Sequence, residues 1–155
     1  MNKQPTEYEI NFRIWYSYWL ERMTETLNRR IDVSINAITL TLGSAIFATS
    51  HFSWLFGGII AVLSGFRIAW QYGQKAESAK QQVKRYSALI DDLPAITIDE
   101  ARARLAMLEE FDSAALNSLC NPARNGASIS LKLKHRETLS FAEKAISLLA
   151  GSTPR

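Results

Sequence analysis

From Val33 to Phe66 the chain carries no Asp, Glu, Lys or Arg, a run of 34 residues bounded by Asp32 and Arg67. Every charged side chain lies in the two flanking parts. The mean hydropathy of −0.08 conceals this segregation. Hiding so long an uncharged block on all sides needs a large surrounding core, and a chain of 155 residues has little left from which to build one. The composition is that of a small membrane protein.

One helix crosses a hydrocarbon core with about 20 residues, so the block is too long for one span and short for two. Borrowing about two residues from each flank makes two spans near the lower length limit. They fall at 31–49 and 53–71, with the break at Thr49-Ser50-His51-Phe52-Ser53. A signal peptide does not fit, because the block begins 30 residues into the chain and exceeds an h-region in length. Arg22, Arg29 and Arg30 precede the first span, and Arg67, Lys75, Lys80, Lys84 and Arg85 lie at or beyond the end of the second. The positive-inside rule then places both termini in the cytoplasm and the short turn outside. Folding the chain about that turn brings Asp32 and Arg67 to one depth. Two readings are open. The charges form a membrane-boundary ion pair, each relieving the other's desolvation, or Arg67 snorkels alone to the headgroups.

Small residues pattern both spans. Gly57, Ala61, Gly65, Ala69 and Gly73 recur at every fourth position of the second, and Ala37, Thr41, Ala45 and Thr49 do so on the first. In lipid, helices associate through close packing, because the acyl chains are as apolar as leucine. These rows are therefore the expected helix-packing faces, either between the two spans or between copies of the chain.

The flanking parts continue the hairpin. Residues 6–30 contain no glycine or proline and read as an amphipathic, aromatic-rich helix, with Thr6 as N-cap and Glu9 as its capping-box partner. Tyr8, Phe12, Trp15, Trp19, Met23 and Leu27 share one face. This helix either lies in the membrane interface or stands off it and packs on the helix leaving the second span. Under the first reading Trp15, Tyr18, Trp19 and Trp70 are interface aromatics. Ala76, Ala79, Val83, Tyr86, Ile90 and Leu93 form a heptad-like stripe over 72–93, which favours the second reading.

This arrangement resembles the SLATT superfamily. Two short spans joined by a tight turn, preceded by ERMTETLNRR and followed by AWQYGQKAESAKQQVKRYSALIDDL, carry the resemblance over residues 6–93. It rests on architecture and length. The resemblance implies a two-span membrane effector of a bacterial anti-phage defence system, acting as a toxin in abortive infection. The implied activity is perturbation of the inner membrane by oligomerisation or pore formation. The implied trigger is a separately encoded sensor, a nucleotide synthase or a retron reverse transcriptase with its nucleic acid. The family has no catalytic residues to carry over. The expected partners are the lipid bilayer, further copies of the chain and that sensor, with no cofactor and no small-molecule substrate.

Residues 94–155 read as a C-terminal helical docking region. Pro94 ends the long helix, and Thr97 with Glu100 marks the start of another, expected to run to about Leu119. Asn121-Pro122 and Asn125-Gly126 signal a loop. SISLKLK at 128–134 alternates like a short strand, or forms a less regular approach to a last helix over 136–149. Ile129, Leu131 and Leu133, with Lys132, Lys134 and Arg136, are the residues expected to meet a partner; the basic cluster is otherwise a solvated surface. Cys120 is the single cysteine, and His51 and His135 stand far apart, so no metal cage or catalytic triad can be assembled.

The fold class expected is thus an all-α membrane protein: a two-span antiparallel hairpin (31–71) with cytoplasmic helical extensions and a small C-terminal helical region, with or without one short strand. Two other functions stay open. One is a membrane-anchored adaptor or structural subunit without pore activity. The other is a soluble α-helical interaction module whose apolar hairpin is its core.

Overall fold

A computed structural model describes residues 6–48 and 52–151. The described chain is helical and contains no strand. Its elements are α1 (Glu7–Ala48), α2 (Ser53–Trp70), α3 (Tyr72–Asp92), α4 (Ile98–Glu109), α5 (Cys120–Ser130) and α6 (Phe141–Leu149). A single-turn 3-10 segment, Asn117–Leu119, leads into α5.

The 42 residues of α1 make one uninterrupted helix, about 63 Å long at 1.5 Å per residue. Thr6 and Glu9 start it with reciprocal bonds: Thr6 N donates to Glu9 Oε2 (2.6 Å) and Glu9 N donates to Thr6 Oγ1 (3.4 Å). α1 packs along α2 with its apolar arm and along α3 with its charged arm. The hairpin arm opposite is less regular. Gln71 sits between α2 and α3 in the left-handed region, with φ 49° and ψ 45°. For a residue with a Cβ this costs about 1–2 kcal/mol. Gln71 N still donates to Arg67 O (3.0 Å), and Lys75 N donates to Gln71 O (3.1 Å), so the break is confined to one residue. The second arm therefore does not continue as one regular helix.

Two cores flank the charged arm of α1. Ile10 and Ile14 pack with Tyr86 and Leu89 of α3 and with Ala101 and Leu105 of α4. Nearer the apolar arm, Met23 and Leu27 pack with Leu119, Ala123 and Ala150. The face of α1 toward α3 is Ile10, Ile14, Ser17, Glu21 and Thr24, all buried at helical spacing. This differs from the expected Tyr8–Phe12–Trp15–Trp19 face. Tyr8 is exposed, while Trp15 and Trp19 are half-buried. The aromatics flank the hairpin seam, where Tyr18 packs between Trp15 and Trp19 and Trp19 lies against Gly126. On α3 the stripe reads Ala76, Ala79, Gln82, Tyr86 and Leu89, with Val83 and Ile90 half-buried beside it.

Four expectations for the C-terminal region are corrected. The helix from Thr97 stops at Glu109, not near Leu119. Its carbonyl end is taken up from outside: Gln82 Nε2 donates to Leu108 O (2.8 Å), and Asp112 is bonded to Tyr86. Asn121 to Gly126 form the first part of α5 rather than a loop. Pro122 falls in the first turn, where a missing N–H costs nothing, and Asn125 and Gly126 serve tertiary contacts described below. The alternating SISLKLK segment is no strand: its first residues complete α5, and Lys132, at φ 56°, turns the chain. α6 begins only at Phe141, where Ser140 and Glu143 form a capping box, so residues 136–140 lie outside the helix expected there.

Candidate functional site

The apolar arms touch along one face each. On α1 the half-buried residues are Ile31, Asp32, Ile35, Asn36, Thr39, Leu42, Gly43, Ala45 and Ile46. On α2 they include Phe56, Gly57, Ile60, Leu63 and Ser64. No residue of α2 is buried. Trp54, Ile68 and Val62 are 76%, 75% and 58% exposed. Ser53–Asp92 is the one helical stretch among the described residues long and apolar enough to cross a bilayer, and its most apolar window is wholly unburied. The corresponding arm of α1 is diluted by Asp32, Ser34, Asn36, Thr39, Thr41 and Ser44. Its hydroxyls are partly satisfied locally: Thr41 Oγ1 donates to Ala37 O (2.8 Å) and Ser44 Oγ to Leu40 O (3.0 Å).

The row of small residues winds off the seam. Gly57 is half-buried toward α1, but Ala61, Gly65 and Ala69 are exposed. A Cβ built on Gly57 or Gly65 would meet nothing within 4 Å. A shallow apolar groove follows Gly65 and Ala69 between Val62, Phe66 and Trp70. On α1, Ala37 and Thr41 are likewise exposed and Ala45 is half-buried; Thr49 lies outside the described residues. The drift is geometric, since each step of four advances about 40° around a helix. The row therefore makes no close contact with the rest of the protomer at Gly57 or Gly65. At its other end, Gly73 faces Asp32, whose carboxylate lies 3.6 Å from where a Cβ would be.

Arg67 Nε lies 3.4 Å from Asp32 Oδ1, with the Arg67 side chain 53% exposed. Asn36 Nδ2 donates to Asp32 Oδ2 (3.2 Å). The structure thus brings Asp32 and Arg67 together, and Arg67 keeps half of its surface free. Both line a cleft with Ile68, Gln71, Tyr72 and Gly73, where the regular part of α2 ends. Trp70 stacks on Phe66, with centroids 5.1 Å apart. Trp15, Tyr18 and Trp19 are elsewhere: Trp19 is 13 residues, about 20 Å, from Asp32 along α1. Tyr18 packs edge-on between Trp15 and Trp19. Trp19 lies against Gly126, and its Nε1 donates to Ser130 Oγ (2.9 Å).

Sequence reading missed a polar cluster between the charged arms. Ser113 N donates to Glu21 Oε1 (2.6 Å), and Glu21 is only 2% exposed. Tyr86 OH donates to Asp112 Oδ1 (2.7 Å), as does Gln82 Nε2 (3.2 Å). Desolvation raises the Glu21 carboxyl above its usual range, and the nearby Asp112 adds to the rise. Desolvation also raises Asp112 and Tyr86, whose phenol is raised further by Asp112. Glu21 Oε2, Thr24 Oγ1 and Ser113 Oγ are buried without hydrogen-bond partners. The cluster locks the 110–116 connection onto the α1–α3 hairpin. A glutamate at a heptad core position is its sequence signal, visible once Ile10 and Ile14 set the register. Beside the second core, burial and a bond to Cys120 push the Tyr16 phenol up to about 12.

The residues expected to meet a partner divide. Ile129 is exposed, and Leu131 and Leu133 are half-buried. Lys132 and Lys134 are exposed. Arg136 is committed internally: its Nη1 donates to His135 O (2.8 Å) and to Leu133 O. Among the described residues no cluster of His, Cys, Asp or Glu has the makings of a metal site. No protein-family model matches the chain, and no curated protein or solved structure matches it significantly.

Proposed function

We propose that the chain is a membrane effector of the SLATT type. Its two apolar arms (31–49 and 53–71) span the bacterial inner membrane with both termini in the cytoplasm. The chain perturbs that membrane by assembling with further copies, as an oligomer or pore, when a separately encoded sensor releases it in anti-phage defence. The observation that carries the reading is the outward small-residue face of α2. Ala61, Gly65 and Ala69 are exposed, and a Cβ on Gly65 would meet nothing of its own chain. A face built for close approach and left empty within the protomer is what helix association in lipid requires. The lack of any buried residue in α2 weighs against a soluble module whose hairpin is its core. The Asp32–Arg67 pair supports the depth assignment, because it neutralises both charges where the apolar arms begin.

Gly65→Leu tests the assembly. The substitution fits the protomer, so the membrane-extracted variant keeps the wild-type helical content and fractionation. Expression at equal level is expected to lose growth inhibition and dye entry. Undiminished toxicity with the variant refutes assembly through this face, and extraction of the wild type by buffer without detergent refutes the membrane reading itself.

A further inference from the structure

The last helix, α6, belongs to neither core seam along its outer side. Ser147 and Ala150 are buried and Ile146 is half-buried, whereas Leu148 and Leu149 are 62% and 55% exposed. Among the described residues, two adjacent leucines at the end of a short helix thus leave more than half of their surface uncovered, which has a cost in water.

Their position is fixed by Arg30. Its Nη1 donates to Leu148 O (3.1 Å), which also accepts from Gly151 N (3.1 Å), and to Leu149 O (2.8 Å) at the helix end. Just beyond, a Cβ on Gly151 would lie 3.2 Å from Thr26 Cγ2 and 3.4 Å from Arg30 Nη2. The tip of α6 is therefore seated on the last charged turn of α1. Arg30 is two residues, about 3 Å, from Asp32 along that helix, and Val33, the first residue of the uncharged run, is 59% exposed. The tip thus sits beside Thr26 to Arg30, three to seven residues (about 5–10 Å) short of the onset of the apolar surface of the hairpin. The charge pattern agrees. Lys144 is exposed on α6 and Arg30 is exposed beneath its tip, while Arg29 beside it is paired with Glu25. The only acid of α6, Glu143, is turned away into its cap, accepting from Ser140 N (2.7 Å) and Asn121 Nδ2 (2.8 Å).

We propose that the C-terminal end of α6 is a membrane-contact element: Leu148 and Leu149 enter the headgroup boundary of an anionic lipid bilayer, with Arg30 and Lys144 as the cations beside them. The inference rests on the membrane reading of the hairpin. Its chemistry is that of an interfacial amphipathic helix, in which apolar side chains reach the base of the headgroups while cations stay at phosphate level. It gives the C-terminal region a second attachment to the bilayer besides the hairpin. The far end of α6 is held by Asn121, away from Arg30, so the contact is made by the tip.

The test uses the full chain in vesicles of phosphatidylethanolamine and phosphatidylglycerol containing lipid with a doxyl quencher close to the headgroup. Single-cysteine variants in a Cys120→Ser background carry a small environment-sensitive fluorophore at one of three sites. Ile59→Cys reports on α2, Leu148→Cys on the tip of α6, and Met107→Cys on the exposed outer side of α4. The expected result is loss of most emission at Leu148→Cys and at Ile59→Cys, with Met107→Cys unaffected. Quenching at Ile59→Cys with Leu148→Cys as silent as Met107→Cys overturns this inference and leaves the hairpin reading standing. A Leu148→Cys label that is shielded from both the lipid quencher and an aqueous quencher assigns the leucines to a protein contact, a second copy or a partner, and also overturns it. Absence of quenching at Ile59→Cys removes the membrane reading and this inference with it.

Discussion

Gly126→Ala sets two opposite effects against each other at one atom. Gly126 lies inside α5, where alanine is worth about 1 kcal/mol over glycine through helix propensity alone. The added Cβ, however, would stand 2.7 Å from Trp19 Cγ and 2.8 Å from Cδ2. Real carbon contacts of that length do not persist, so either the indole or α5 must move. The indole is held by its bond to Ser130 Oγ at 2.9 Å and by Tyr18 packed edge-on at 5.8 Å between centroids. Overpacking a tight contact costs about 1–3 kcal/mol, and losing the indole hydrogen bond adds about 1 kcal/mol. The strain exceeds the propensity gain, and the expected net effect is a destabilisation of about 1–3 kcal/mol. Thermal unfolding of the detergent-solubilised protein, followed by circular dichroism, should show a lower midpoint for Gly126→Ala. The same substitution in a Trp19→Leu background, where the ring is gone, should raise the midpoint relative to Trp19→Leu alone. A raised midpoint in the wild-type background, or the same sign in both, refutes the claim that glycine is there for the indole.

The carboxyls of the polar cluster, Glu21 buried and Asp112 at its exposed edge, give a pH dependence with a definite sign. Glu21 and Asp112 both have folded-state values raised by desolvation, so the folded chain binds more protons than the unfolded one just above the usual carboxyl range. Their contribution therefore worsens as pH rises through the raised values and is relieved on acidification. Glu21→Gln should have a higher thermal midpoint than wild type at neutral pH, with the gap closing toward pH about 4.5, the ordinary glutamate region; a gap that widens on acidification contradicts the burial argument. Glu143, lowered by the bond from Ser140 N, works in the opposite sense and is common to both proteins, so it cancels in the comparison. At Gln71, glycine relieves about 1–2 kcal/mol of left-handed strain against a chain-entropy cost of about 0.5–1 kcal/mol. Gln71→Gly should therefore match or slightly exceed wild type in thermal stability, and Gln71→Val should fall below both; equal midpoints for Gly and Val would mean that the backbone there is not held left-handed.

The helices of the hairpin were legible because two periodic signals agree over long stretches. The uncharged run marks the apolar arms, and the Ala76–Ala79–Tyr86 spacing marks the side of α3 that meets α1. The partner face on α1 was misread because hydrophobicity favoured the large aromatics. The buried positions Ser17, Glu21 and Thr24 are polar and invisible to an apolar pattern. The C-terminal region failed for a related reason. Asn125 and Gly126 look like turn residues, yet Asn125 spends its amide on the chain beyond the helix, donating to Glu137 O (3.0 Å) and accepting from Glu137 N (2.7 Å). Gly126 spends its missing side chain on Trp19. Tertiary contacts override local propensity where a residue is chosen for what it touches. Asp32 and Arg67 were legible because a hairpin fixes which residues share a level, and the charges bound the run.

The two arms of the hairpin also differ mechanically. α1 is one rod from the charged domain to the end of its apolar arm, with its hydrogen-bond ladder intact past Asp32. The other arm has a joint at Gln71, one residue wide, at the same level. A rotation or tilt imposed on the charged domain would pass along α1 through an unbroken helix, but along the other arm only through the left-handed turn at Gln71. Such a displacement becomes a shear between the arms, and it turns the empty face of Gly65 and Ala69 relative to α1 rather than carrying both arms round together. A device of this kind needs no refolding to alter what its outer surface presents: one stiff link and one loose one are enough.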